Sequence, residues 1–178
     1  VGAAATKDAA QARAEVARLQ KLRDATTGYW AGQIDIQSEV VRGLATIAEG
    51  KADEGIEILR QAAAREDATE KHVVIPGPLV PARELLADML VAQKRFADAL
   101  REYEAVMTKE PNRYRTLAGA MAAARGAGEQ SKALSAANAG ALILLSIGVY
   151  VAFVVAGQAG FGPLAGPPDA SDPAALLP

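Results

Sequence analysis

Cysteine is absent from this 178-residue chain, and histidine occurs once, at His72. Without cysteine there is no disulfide framework, no thiolate metal site and no cysteine nucleophile. Aromatic residues make up only 4% of the chain, although 51% is hydrophobic. The apolar excess is mostly alanine, which excludes a thick aromatic sandwich core and favours closely packed, Ala-rich helices. A basic excess is missing too. All 19 lysines and arginines lie at or before Lys132, and only Asp169 and Asp172 of the 21 acidic residues lie beyond it. The first 132 residues therefore carry equal numbers of both signs. A nucleic-acid partner, which needs cations to neutralise phosphates, is excluded on this ground. The chain opens at Val1 without an initiator Met, the mark of a processed or truncated form.

Catalytic patterns are lacking as well. No nucleophile elbow, phosphate-binding glycine loop, His-Glu zinc pair or carboxylate dyad can be read. His72 stands beside Glu66, Asp67 and Glu70 and could act as a general base or metal ligand. A metal needs three or four convergent ligands, so a loop histidine among solvated carboxylates is the simpler expectation. The sequence thus predicts no enzyme, no bound metal and no cofactor.

Helical periodicity fills the first 132 residues. Ala10, Ala14, Val16, Leu19 and Leu22 mark one amphipathic helix within Lys7 to Thr27. Ile34, Ile36, Val40, Val41, Leu44 and Ile47 mark a second over Ala31 to Ala48. "EGKADEG" (Glu49–Gly55) reads as a turn, and Ile56, Leu59, Ala62 and Ala63 open the apolar face of a third. Three prolines and a glycine in Glu66–Pro81 disfavour helix and predict a loop, with "HVVI" its only strand-like run. Helix resumes from Ala82 to Lys109, broken at "QKRF", and again from Arg113 to Ala124.

The stretch "ELLADMLVAQKRFADALREYEAVMTKEP" (Glu84–Pro111) resembles a tetratricopeptide repeat (TPR). Leu86, Ala87 and Leu90 match its first helix, Ala99 and Tyr103 its second, and Pro111 the closing proline. Small side chains let paired helices approach, and large ones fill the gap between pairs. A weaker copy with Gly43, Gly50, Gly55, Leu59 and Ala62 lies 44 residues upstream, the excess over a 34-residue period falling around Pro76–Pro81. A third begins near Tyr114, with Gly128 and Ala133 at its turn and small-residue positions, but lacks a large residue near Ala137. From about Thr6 to Lys132 the chain resembles a family of uncharacterised bacterial TPR proteins, sharing "GYWAGQIDIQ" and the His-to-Pro-Gly loop; it departs from them after Lys132. That resemblance implies a helical solenoid and an exported, periplasmic location, without implying an activity.

Beyond Lys132 no charge occurs until Asp169. Within this gap Ala139–Gly157 is almost wholly apolar, and 19 residues at 1.5 Å each match a bilayer core of about 30 Å. A final solenoid helix in water would need a polar face, which this segment does not have. Its position behind a folded region also argues against a signal sequence. Gly148, Ala152 and Ala156 form a small-residue stripe suited to close packing against another membrane helix. With no ionisable group, a single span cannot itself carry ions, so anchoring or assembly is expected. Arg125 and Lys132 place the repeats in the cytoplasm by the positive-inside rule, against the periplasmic location implied by the resemblance; the longer match is followed here. Five prolines between Phe161 and Pro178 predict an extended tail.

The expectation is therefore an all-α protein: a TPR-like helical-hairpin solenoid (1–132, loop insertion 66–81), one membrane helix (133–160) and an extended tail (161–178). Its function would be that of a membrane-anchored scaffold, an accessory or assembly subunit of a complex in the bacterial inner membrane. The alternative is a tethered module that captures a soluble protein or peptide on its repeats. Candidate contacts for a partner are Tyr29, Trp30, His72, Arg83, Arg95 and Arg101. For Tyr29–Trp30, burial at the first helix junction competes with use as an exposed anchor. For the arginines, interspersed Glu84, Glu102, Glu104 and Glu110 suggest a mixed solvated surface.

Overall fold

The computed structural model describes residues 8–69 and 80–158, the last three as backbone only. Among these residues there are seven helices and no strand. They are α1 (Ala9–Asp24), α2 (Tyr29–Ala48), α3 (Ala52–Ala68), α4 (Ala82–Ala92), α5 (Phe96–Lys109), α6 (Tyr114–Ala127) and α7 (Gln130–Gln158). The predicted loop starts later than its prolines suggested, because Glu66 and Asp67 are still helical. Glu66 has a structural task there: its carboxylate accepts the Ala82 N–H at 2.6 Å. Pro81 precedes α4 and leaves that first amide without an intrahelical partner. The run His72–Ile75 and the tail lie outside the described residues.

Each helix packs on the next from α1 to α6, and α4 also meets α2 and α6. Three connections share one geometry. Gly50, Lys94 and Gly128 have φ of +89°, +58° and +82°. Each donates its N–H three residues back, to Ile47, Val91 and Arg125, while the following residue donates to Thr46, Leu90 and Ala124. This is a left-handed cap that satisfies the last carbonyls of one helix and reverses the chain within two or three residues. At Lys94 the conformation is adopted by a residue with a Cβ, at a cost of about 1 kcal/mol.

Close approach follows from small residues. A Cβ on Gly55 would lie 2.6 Å from the Gly43 carbonyl oxygen and 2.9 Å from the Ile47 amide nitrogen, so α2 and α3 touch backbone to backbone. Ala87 and Ala99, both fully buried, are the corresponding small residues of the α4–α5 hairpin. Large side chains fill the remaining space: Leu59, Leu86, Leu90 and Tyr103 are almost inaccessible to water. The Tyr103 ring reaches across to Gly119 of α6, where an added Cβ would lie 2.4 Å from it.

Cα proximity divides the chain into Val1–Ala137 and Asn138–Pro178. The boundary falls five residues later than the charge pattern suggested. Ala133 and Ala136, in the first turns of α7, are buried in the same cluster as Ala120, Ala123 and Ala124 of α6.

Candidate functional site

Helix α7 is 29 residues long, about 43 Å at the standard rise. Within Gln130–Val155 an 18-residue window has a mean hydropathy of 2.2, and almost none of that window is buried. Leu142, Leu144, Leu145, Ile147, Val149, Tyr150, Val151, Phe153 and Val155 are all exposed. At 100° per residue these positions cover every side of the helix, so no polar face is left to meet water. Ser146 satisfies its hydroxyl internally, donating to the Leu142 carbonyl at 2.9 Å. Among the described residues there is therefore one helix long and apolar enough to cross a membrane by length and composition. A Cβ added at Gly148 would meet nothing within 4 Å, and Ala152 is exposed. Ala156 belongs to the same helix, with its side chain outside the description.

The second candidate region is a cleft of about 70 Å³ in the first unit, between the start of α2, the end of α3, the start of α4 and the end of α5. Tyr29, Gln33, Asp67, Pro81, Arg83 and Lys109 are among its walls. Its charges are spent on one another. Asp67 accepts from Arg83 at 2.5 Å and pairs with Lys109 at 2.9 Å. Arg83 also bonds Glu102, which Arg60 reaches from α3 at 2.9 Å. Burial raises the Asp67 carboxyl, but the bonds from Lys109 and Arg83 outweigh it, and the net pKa is lowered. A surface neutralised this way suits a neutral or mixed ligand better than an acidic peptide.

A deeper network ties α4 to α6. Glu84 is fully buried, with Arg115 Nε 2.6 Å from one oxygen and Arg113 Nε 3.3 Å from the other. Thr116 Oγ1 donates to the latter oxygen as well. One turn on, Asp88 accepts the Tyr103 hydroxyl at 2.5 Å and pairs with Arg115. Burial pushes the Tyr103 phenol well above its ordinary range, with the Asp88 hydrogen bond adding to the effect. A buried charge with this many partners fixes how the hairpins stack.

The residues singled out from sequence are thus distributed unevenly. Trp30 is 53% exposed, contrary to the burial expected at the helix junction, and meets Tyr29 edge to face at 5.3 Å. Gly28, with φ +66°, stands immediately before α2. Arg83 is mostly covered and clasps three helices. Arg95 pairs with Asp98 at 3.0 Å and Asp53 at 3.3 Å, and Arg101 with Asp98. The structure brings Tyr29 and Arg83 to one cleft and leaves Arg95 at the opposite end of the hairpins. His72 lies outside the described residues. Among those described, no three His, Cys, Asp or Glu side chains gather as a metal site. Sequence reading took Asp67 and Glu84 for solvated carboxylates and did not single out Lys109; Glu84 is instead fully buried among the partners named above, and Asp67 is held by Arg83 and Lys109. Comparison of the chain with protein-family models, curated protein sequences and solved structures finds no match in any of the three.

Proposed function

We propose that this chain is a membrane-anchored, TPR-like scaffold, a non-catalytic accessory or assembly subunit of a membrane protein complex. The carrying observation is the apolar surface exposed on every side of α7 from Leu142 to Val155, in a chain whose preceding helices have a buried core of their own. Such a surface in water would aggregate, whereas in lipid it is the normal exterior of a span. Support for the TPR-like reading comes from the three turns of one geometry. They stand at 50, 94 and 128, the second interval being the TPR period of 34 residues and the first exceeding it by ten. The contacts of α4 with both α2 and α6 are those expected of first helices stacking in a superhelix.

In this reading α7 crosses the bacterial inner membrane once, its Gly148–Ala152–Ala156 stripe faces another subunit's helix, and the repeats lie in the periplasm. Extraction in mild detergent should recover the chain with a larger complex, and Gly148→Leu with Ala152→Leu should release it. Recovery as a clean monomer, unchanged by the double substitution, overturns the assembly role. Alkaline phosphatase activity from a fusion at Pro178 overturns the periplasmic placement. The cleft beside Tyr29 favours a second reading, a tethered module capturing a soluble peptide. It requires that a chain ending at Ala137 still retain that peptide, an outcome the subunit reading does not need.

A further inference from the structure

Two side chains in the apolar stretch of α7 carry hydroxyls, Ser146 and Tyr150. They stand four residues apart and so share one side of the helix. Ser146 gives its hydrogen to the Leu142 carbonyl, and its oxygen can still accept. Tyr150 is 67% exposed and, among the described residues, its hydroxyl meets no acceptor. Gly148 is the midpoint of Ala139–Gly157, so the Tyr150 Cα lies about 3 Å from the centre of the stretch. Both edges of a bilayer core of about 30 Å are then more than about 10 Å away. Side chains on a helix lean towards its N-terminus, which carries the phenol back towards the midpoint, level with Ser146. The hydroxyl thus stays in hydrocarbon, where a donor without an acceptor is costly.

Ile143, Ser146, Tyr150 and Phe153 follow one another at intervals of three, four and three residues. That is the spacing of a seam between two helices crossing at a shallow angle. Gly148 lies about 160° round the helix from Tyr150, so the small-residue stripe belongs to a different face. We propose that the seam binds a second copy of this chain, parallel and in register, each Tyr150 hydroxyl donating to Ser146 Oγ of the other copy. The proposal rests on the reading of α7 as a membrane span. Complementarity identifies the occupant. The phenol leans back by one turn, and one turn back on a parallel copy stands a hydroxyl whose own hydrogen is already used. A two-fold pair therefore supplies both donors and both acceptors from a single sequence.

The full chain in phosphatidylcholine vesicles tests this, because no native cysteine competes for labelling. Phe153→Cys lies in the seam and Leu144→Cys on the opposite side. Oxidation should join copies through position 153 and not through 144. Energy transfer between copies labelled at Leu134→Cys, an exposed position in the first turns of α7, follows dimerisation as lipid dilutes the chain. Tyr150→Phe and Ser146→Ala should each weaken it about tenfold, and the double variant no further, because both remove the same two bonds. Both substitutions make the span more apolar, so poorer insertion does not account for such a loss. Dimerisation unchanged in Tyr150→Phe, or joining through 144 in place of 153, overturns the proposal. So does Tyr150→Phe freeing an unlike subunit from a detergent extract, since another helix then supplies the acceptor. Absence of transfer at every dilution, in a chain that resists carbonate extraction, overturns the pairing while the span stands. A chain that carbonate releases removes the span, and the pairing with it.

Discussion

Single side chains decide how closely the hairpins pack, and two glycines of α2 and α3 give opposite expectations. Gly55→Ala drives a Cβ into the Gly43 carbonyl, which cannot swing aside. Overpacking of this kind costs about 1–3 kcal/mol, and the gain in helix propensity of at most about 1 kcal/mol does not offset it. Gly32→Ala meets nothing within 4 Å and should stabilise by about 0.5 kcal/mol. Urea unfolding of both variants tests the pair, and a stabilised Gly55→Ala would refute the close approach. The ionic clasps set the response to pH. Asp67 titrates below its unfolded value of about 3.9, so it binds fewer protons folded than unfolded. Its contribution is complete above about pH 4 and is lost as pH falls through the lower folded value. Tyr103 works in the other direction: its raised phenol contributes fully below about pH 10 and loses that stability as pH rises further. Stability measured against pH should therefore fall at both extremes. Asp67→Asn should flatten the acid limb and leave the alkaline limb in place.

At the scale of elements, most of the architecture could be read from the chain. Apolar spacing located α2, α3, α4 and α5 to within a few residues because a helix on a core must repeat its buried face every three to four positions. The break at "QKRF" likewise gave the α4–α5 turn. Three things were not legible. The exposure of Trp30 depends on whether a neighbouring helix reaches the start of α2, which leaves no periodic trace in sequence. The helical state of Glu66 and Asp67 was hidden by the prolines that follow, since local breakers say where a helix cannot continue but not how near to them it runs. The apolar stretch of α7 was legible, being a composition signal, whereas the burial of Ala133 and Ala136 in its first turns, a packing property, was not. Ile147→Arg places a charge near the centre of the apolar stretch and should cost about 3 kcal/mol of insertion. Carbonate extraction should find less of this variant in the membrane, with the melting temperature of the helical unit unchanged. Full retention in the membrane would contradict a lipid-facing Ile147.

The molecule as a whole consists of two parts governed by different physics, and the boundary between them is testable. A chain ending at Lys132 loses Ala133 and Ala136 and uncovers the alanines of α6. It should be less stable than one ending at Ala137 by roughly 2 kcal/mol, a fall of about 5–10 °C in Tm. Equal melting temperatures would put the boundary back where the charges end. What the sequence determined by itself was everything that depends on local pattern: helical class, the absence of charge between Lys132 and Asp169, and the apolar stretch within the last helix. These properties follow from composition and period, which need no knowledge of neighbours. Tertiary structure decided which polar residues face each other. Glu84, Asp88, Arg115 and Tyr103 are scattered over 32 positions, yet they meet at one place. The reason is that helices packed in succession bring residues of non-adjacent turns face to face, a juxtaposition set by packing geometry and invisible along the chain.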